Sequence, residues 1–274
     1  MKPRYSFSSR RTGQARDPKN YLKKKKKFPE IAQKVLDESD IVLQILDARF
    51  IEDTRNPEIE EYVKTTKKKL IQVINKSDLT LKNKIKLPKP PYAIISCTKR
   101  MGIKKLRDKI KELAHKFKKS ERIIVGVLGY PNIGKSSIIN LLIGKKSAPT
   151  ASEAGFTKGL QKLKLSENIL VIDSPGVIPK QEYSGVENEK ITKHTKISSR
   201  TYAQVKDPET IIAELFKEYS NALQKHFKIK TKSPEHLIEK IGRQHNFLKK
   251  GNEINYDKTS RFILKLWQEG KIKI

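Results

Sequence analysis

Apolar positions recur along the 274-residue chain in two rhythms, short solid runs and helical stripes. Phe28, Ile31 and Val35 predict a helix over 28–38, and Ile41–Leu46 is a solid run that ends at Asp47. Such a run is the mark of a strand covered on both faces. Residues 57–68 read as a helix with Pro57 in its first turn, followed by runs at Leu70–Ile74 and Ala93–Ile95. Ile103, Leu106, Ile110, Leu113 and Phe117 predict a helix over 103–118. Strand Ile123–Leu128, helix Lys135–Ile143 and strands Leu160–Leu165 and Ile169–Ile172 complete this half. Strands alternating with helices predict an α/β fold with a mostly parallel sheet. After Gly176 the pattern changes: 177–206 is polar and irregular, and everything beyond reads helical. Asp207-Pro208-Glu209 and Ser233-Pro234-Glu235 are helix starts, and a third helix from Asp257 to Trp267 is stopped by Gly270. The predicted organisation is therefore a basic arm over 1–28, an α/β domain over 29–180, a flexible linker or switch region over 181–206, and an all-α domain over 207–274.

Candidate chemistry sits at the ends of the solid runs. Gly129-Tyr130-Pro131-Asn132-Ile133-Gly134-Lys135-Ser136 matches G-x-x-x-x-G-K-[ST] between a strand and a helix. Glycines let the backbone curl so that several N–H groups face one phosphate, and the helix N-terminus adds positive partial charge. The expected phosphate holders are Asn132, Ile133, Gly134, Lys135, Ser136 and Ser137, with Lys135 on the β- and γ-phosphates and Ser136 on Mg²⁺. The loop alone does not choose between ATP and GTP. Asn75-Lys76-Ser77-Asp78 follows the run Leu70–Ile74. A carboxylate there can accept from both guanine N1–H and the 2-amino group, whereas adenine would leave it unpaired. Asn75 would face the N7/O6 side, and the Lys76 stem would cover base or sugar. Ser96-Cys97-Thr98 ends the third strand, with the Cys97 N–H expected at guanine O6 and the Ser96 hydroxyl behind Asp78. Cys97 as a nucleophile lacks a histidine arranged to activate it. Asp173-Ser174-Pro175-Gly176 offers a carboxylate to Mg²⁺ and the Gly176 N–H to a γ-phosphate. Thr157 is the second Mg²⁺ hydroxyl, with Thr150 as its competitor.

The order of these pieces narrows the reading. Base recognition comes first, and the phosphate loop, Thr157 and Asp173–Gly176 follow. With Asp47-Ala48-Arg49, Arg55-Asn56-Pro57, Gly129–Ser137 and the tail Phe247-Leu248-Lys249-Lys250-Gly251, the chain resembles the circularly permuted ribosome-assembly GTPases of the YlqF/RbgA-like family. The resemblance departs at Ala154, Cys97 and Arg100, where that family commonly has proline, alanine and glycine. It implies a circularly permuted P-loop GTPase domain with a C-terminal helical RNA-binding domain. It further implies GTP/GDP and Mg²⁺ as ligands, and ribosomal RNA and a large-subunit precursor as partners. Lys135, Asn132, Thr157 and Gly176 would carry catalysis, and Asn132 would hold a K⁺ ion. Val177 stands where many GTPases have a water-orienting glutamine, so hydrolysis is expected to be slow and to be stimulated by ribosomal particles and K⁺. The alternatives are an RNA-linked P-loop ATPase and a non-catalytic RNA-binding scaffold with a structural nucleotide.

Composition sharpens the partner class. Sixty Lys and Arg against thirty Asp and Glu give a formal net charge of +30, which attracts polyanions. A single cysteine excludes an intramolecular disulfide and a multi-cysteine zinc site. No apolar run is long enough to span a bilayer, so no membrane partner is expected. The first sixteen residues would also suit a mitochondrial transit peptide. The charge continues into Lys23–Lys27, which favours a basic RNA-binding arm on a cytoplasmic monomer. The five histidines are scattered and read as surface or core residues.

Overall fold

A computed structural model describes residues 30–80, 85, 87–117, 122–144, 161–174, 176–179, 182 and 188–274. The basic arm over 1–28, Thr150 and Thr157 lie outside the described residues. Helix α1 spans 30–38. It is followed by β1 (Ile41–Asp47), a single-turn α2 (Ile51–Thr54), α3 (Pro57–Thr65), β2 (Lys69–Asn75), β3 (Tyr92–Ile94) and α4 (Ile103–His115). Then come β4 (Ile123–Leu128), α5 (Lys135–Ile143), β5 (Gln161–Ser166) and β6 (Ile169–Asp173). Helices α6 (Asn188–Lys196), α7 (Pro208–Phe227), α8 (Pro234–Gln244) and α9 (Tyr256–Gln268) complete the chain.

The six strands form one sheet in the order β3-β2-β1-β4-β6-β5. Only the edge strand β5 runs antiparallel, against β6. β1 is buried along its whole length, the polar Gln44 and Asp47 included, as a mostly Ile, Val and Leu run in a central parallel strand must be. Register places Asp47 beside Asn75 and Val127 beside Asp173, so the carboxyl ends of β1, β2, β4 and β6 share one edge. The chain leaves β1 in one direction for β2 and β3 and later returns to its other side with β4. This is the topological switch at which open α/β sheets bind ligands.

Helix starts follow the sequence signals. Asn56 Oδ1 accepts from the Glu58 and Ile59 N–H groups ahead of α3, and the side chains of Asp207, Ser233 and Asn255 cap α7, α8 and α9. Two expectations change. The segment over 177–206 contains α6, whose end is buried at Thr195, Lys196, Ile197 and Ser198. The C-terminal helices also share their apolar core with the sheet: one cluster runs from Ile41 and Phe50 through Ile212 and Leu264 to Trp267. Phe50, just past β1, stacks on Trp267 with ring centroids 6.0 Å apart, and Tyr219 lies 5.0 Å from the same indole. α7 is kinked at Tyr219, the residue wedged into this cluster.

Candidate nucleotide site

β4 delivers the phosphate loop and α5 closes it. Asn132 has φ of +57° and Gly134 φ of +103°, so the chain turns twice through the left-handed region before entering α5. A Cβ at Gly134 would stand 2.4 Å from Asn75 Nδ2, so only glycine fits there. Asn75 Nδ2 itself donates to the Ile133 carbonyl at 2.9 Å. The predicted base-reading strand end and the predicted phosphate loop are therefore in direct contact, although 58 residues separate them.

The Lys135 ammonium is buried and donates to the carbonyls of Gly129 at 3.1 Å and Tyr130 at 2.8 Å. Among the described residues no carboxylate lies within ion-pair distance of it. Burial pulls its pKa down to about 8, partly opposed by the charge of Asp173. A buried cation held only by carbonyls is a receptor for an anion. Ser136 Oγ donates to Asp173 Oδ2 at 3.2 Å, while Asp173 Oδ1 is buried without a partner. An exposed hydroxyl joined to a carboxylate with one unsatisfied buried oxygen suits a hard cation such as Mg²⁺. The Val177 N–H donates to the Gly129 carbonyl at 2.9 Å, which seats the Asp173–Gly176 turn against the phosphate loop. Ser137 is exposed on the first turn of α5.

At the base-reading end, Ser96 Oγ donates to Asp78 Oδ1 at 2.5 Å and accepts from the Lys99 N–H, so the hydroxyl does stand behind the carboxylate. Thr98 is exposed beside it. Two finer expectations are revised. Asn75 is almost fully buried with both amide groups held by protein, its Oδ1 accepting from the Cys97 N–H at 3.3 Å. It therefore fastens three loops together rather than facing N7, and the Cys97 N–H is already engaged with it. Burial pushes the Cys97 thiol up to about 11, which removes it as a nucleophile at neutral pH.

Three further groups make contacts that the sequence does not announce. Asp47, fully buried, takes both Arg49 and Lys76 on its carboxylate. Burial pushes this carboxyl up, but the Arg49 and Lys76 charges and the Arg49 hydrogen bonds outweigh burial and hold it at about 2. Asn132 Nδ2 donates to the Ser198 carbonyl at 3.1 Å, tying the phosphate loop to the segment after α6. Behind that loop the buried Tyr130 hydroxyl donates to Glu182, which also holds Lys193 and His194, each at 2.7 Å. Asp47, Arg49, Lys76, Tyr130 and Asn132 all stand in motifs named above, but apart from the Asp47–Arg49 pair these contacts join segments well separated in sequence. Among the described residues no cluster of three His, Cys, Asp or Glu side chains could hold a metal, and no helix is long and apolar enough to cross a membrane.

Comparison with known proteins gives a consistent picture. The 50S ribosome-binding GTPase family model matches residues 124–240. A GTP-binding protein of Methanocaldococcus jannaschii is 36% identical over 254 residues, covering 90% of this chain and 67% of that protein. Nucleolar GTP-binding protein 2 of Neurospora crassa is 32% identical over 253 residues, covering 87% of this chain and 40% of its own length. The chain thus spans about two thirds of the archaeal relative and well under half of the fungal one. The crystal structure of GNP-bound YlqF from T. maritima superposes with a TM-score of 0.64, covering 90% of this chain and 95% of that one. At 21% identity that likeness speaks to the fold.

Proposed function

The chain belongs to the circularly permuted, YlqF-like family of GTP-binding proteins, and from that premise we propose that it is a GTP-hydrolysing factor acting in assembly of the large ribosomal subunit through ribosomal RNA. The observation that carries the reading of one shared site is the 2.9 Å bond from Asn75 to Ile133. It supports a single crevice in which Asp78 reads the base and Lys135 holds the phosphates.

In this reading Asp78, oriented by Ser96, accepts from the guanine N1–H and 2-amino group. Lys135 and the loop N–H groups bind the phosphates, and the Gly176 N–H meets the terminal one. Ser136 and Asp173, with Thr157, would hold Mg²⁺, which neutralises charge on the phosphate oxygens. Val177 is buried in an apolar cluster with Val35, Ile59 and Leu128, so it cannot orient a water. Slow intrinsic hydrolysis follows, with stimulation from outside the chain by ribosomal particles and K⁺. Asn132 uses its Nδ2 on Ser198, which leaves Oδ1 for a K⁺ ion. Turnover in K⁺ should exceed turnover in Na⁺ at equal ionic strength; equal rates would remove Asn132 from that role.

Asp78→Asn tests the guanine reading. Affinity for GTP should fall roughly hundredfold or more, because a buried polar site rejects a mismatched base strongly. Affinity for xanthosine triphosphate should rise, since the Asn amide can donate to the xanthine 2-oxygen. Unchanged GTP affinity, or equal competition by ATP in the unaltered protein, would overturn it.

A further inference from the structure

Lys76 belongs to the base-reading loop, yet its ammonium lies 3.0 Å from Asp47 Oδ2 at the end of the neighbouring strand. The same carboxylate receives the Arg49 fork, Nε on Oδ1 at 3.0 Å and Nη2 on Oδ2 at 2.8 Å. Arg49 has one more nitrogen to place, and Nη1 donates to the Trp267 carbonyl at 3.2 Å, in the last turn of α9. The Trp267 carbonyl also accepts from the Gly270 N–H at 3.0 Å, so the guanidinium adds a second, charged donor at the helix C-terminus. The Asp47 and Arg49 side chains are 0% and 1% exposed, so neither charge can fall back on water if its partner moves.

Trp267 is held on its other side as well. Its indole Nε1 donates to the Lys196 carbonyl at 3.0 Å, and its ring is stacked on Phe50. Just beyond α9, Gly270 approaches Leu79 so closely that a Cβ there would stand 2.4 Å from Leu79 Cδ1. Leu79 is the residue after Asp78, on the same single turn of 3₁₀ helix. The C-terminal helix thus touches the base-reading loop directly through Gly270 and indirectly through Arg49, Asp47 and Lys76.

We propose that Asp47 is a positioning residue for Lys76 in guanine binding, and that Arg49, shared between Asp47 and the Trp267 carbonyl, couples base binding to the seating of the C-terminal helix. This rests on the guanine reading of the site above. When Lys76 settles against a bound base, the Asp47 carboxylate is fixed, the Arg49 fork is fixed with it, and the end of α9 is held. The coupling is reciprocal, so a seated helix raises nucleotide affinity by the factor by which nucleotide favours seating.

The chain's single tryptophan makes the coupling visible. Full-length protein is titrated with GDP while Trp267 emission and acrylamide quenching are followed, and GDP affinity is measured separately by calorimetry. GDP should lower the quenching constant at least twofold, with the midpoint at the calorimetric Kd. Arg49→Lys keeps a cation on Asp47 but cannot reach both groups. It should abolish the quenching response while weakening GDP three- to tenfold, the coupling factor itself. Asp47→Asn should lose the response and weaken GDP further, and far-UV circular dichroism checks that it folds. A full response in Arg49→Lys, or GDP binding by the unaltered protein with no change at Trp267, overturns the coupling and leaves the guanine reading standing. No GDP binding by the unaltered protein overturns the guanine reading and the coupling with it.

Discussion

Lys135 carries a positive charge into a place where only carbonyls meet it, and burial holds its pKa at about 8 against an ordinary value of 10.5. Below pH 8 both folded and unfolded states bind this proton, and the folded state bears the full cost, about 3 kcal/mol for a shift of this size. Between pH 8 and 10.5 the unfolded chain binds more protons, so this contribution makes stability rise with pH. Phosphate oxygens reverse the situation by favouring the charged amine. At pH 8.5 GDP binding should therefore take up roughly three quarters of a proton, read as a calorimetric enthalpy that changes between buffers of different ionisation enthalpy. Lys135→Met should remove the dependence; a buffer-independent enthalpy in the unaltered protein would contradict it. Lys135 was legible because its motif is local and has a fixed spacing. Asn75 was legible as part of the site but not in its role. That its amide is consumed by Ile133 and Cys97 depends on loops 58 and 22 residues away, and a four-residue motif carries no information about them.

At the scale of elements, the sequence was clearest where one segment decides its own conformation. β4 and α5 have the predicted bounds because a solid apolar run, a left-handed glycine and an amphipathic turn follow one another without interruption. α7 and α8 begin at Asp207 and Ser233 because each cap and following proline act within four residues. α6 is hard to recognise in the sequence because Asn188–Lys196 has few apolar residues and no proline at its start. What orders its end is tertiary. Glu182 collects Lys193 and His194, the Lys196 carbonyl takes the Trp267 indole N–H, and Gln268 Nε2 donates to the Thr195 and Arg200 carbonyls. The kink at Tyr219 was hidden for the same reason, since no proline or glycine marks it. The segment following the Asp173–Gly176 turn is therefore packed between the Gly129–Ser136 loop, through Asn132 and Ser198, and the C-terminal helix. A device that transmits nucleotide state would occupy that position.

For the whole molecule, part of the charge that composition reveals lies on the C-terminal helices, where residues 207–274 hold fourteen Lys and Arg against nine Asp and Glu. α7, α8, α9 and the loops joining them expose Lys225, Lys228, Lys230, Lys240, Lys249 and Lys250, among others. Acidic partners among the described residues are mostly local, such as Asp257 with Arg261 and Glu214 with Lys217, and leave this excess uncompensated. A surface of this kind binds nucleic acid chiefly by displacing condensed counterions, so affinity must follow ionic strength rather than sequence. With about six phosphates neutralised, the affinity for a structured ribosomal RNA fragment should fall about a thousandfold between 50 and 200 mM salt. The slope of log K against log salt, measured by filter binding with GTP and then with GDP, tests this. If the coupling through Arg49 is right, the two nucleotides should change the intercept, because they alter how firmly the basic helices are seated, and leave the slope nearly unchanged, because the same lysines meet the same phosphates. A slope near zero would mean that the excess charge is not what holds RNA. A slope that differs strongly between the nucleotides would mean that the contact surface itself is rebuilt.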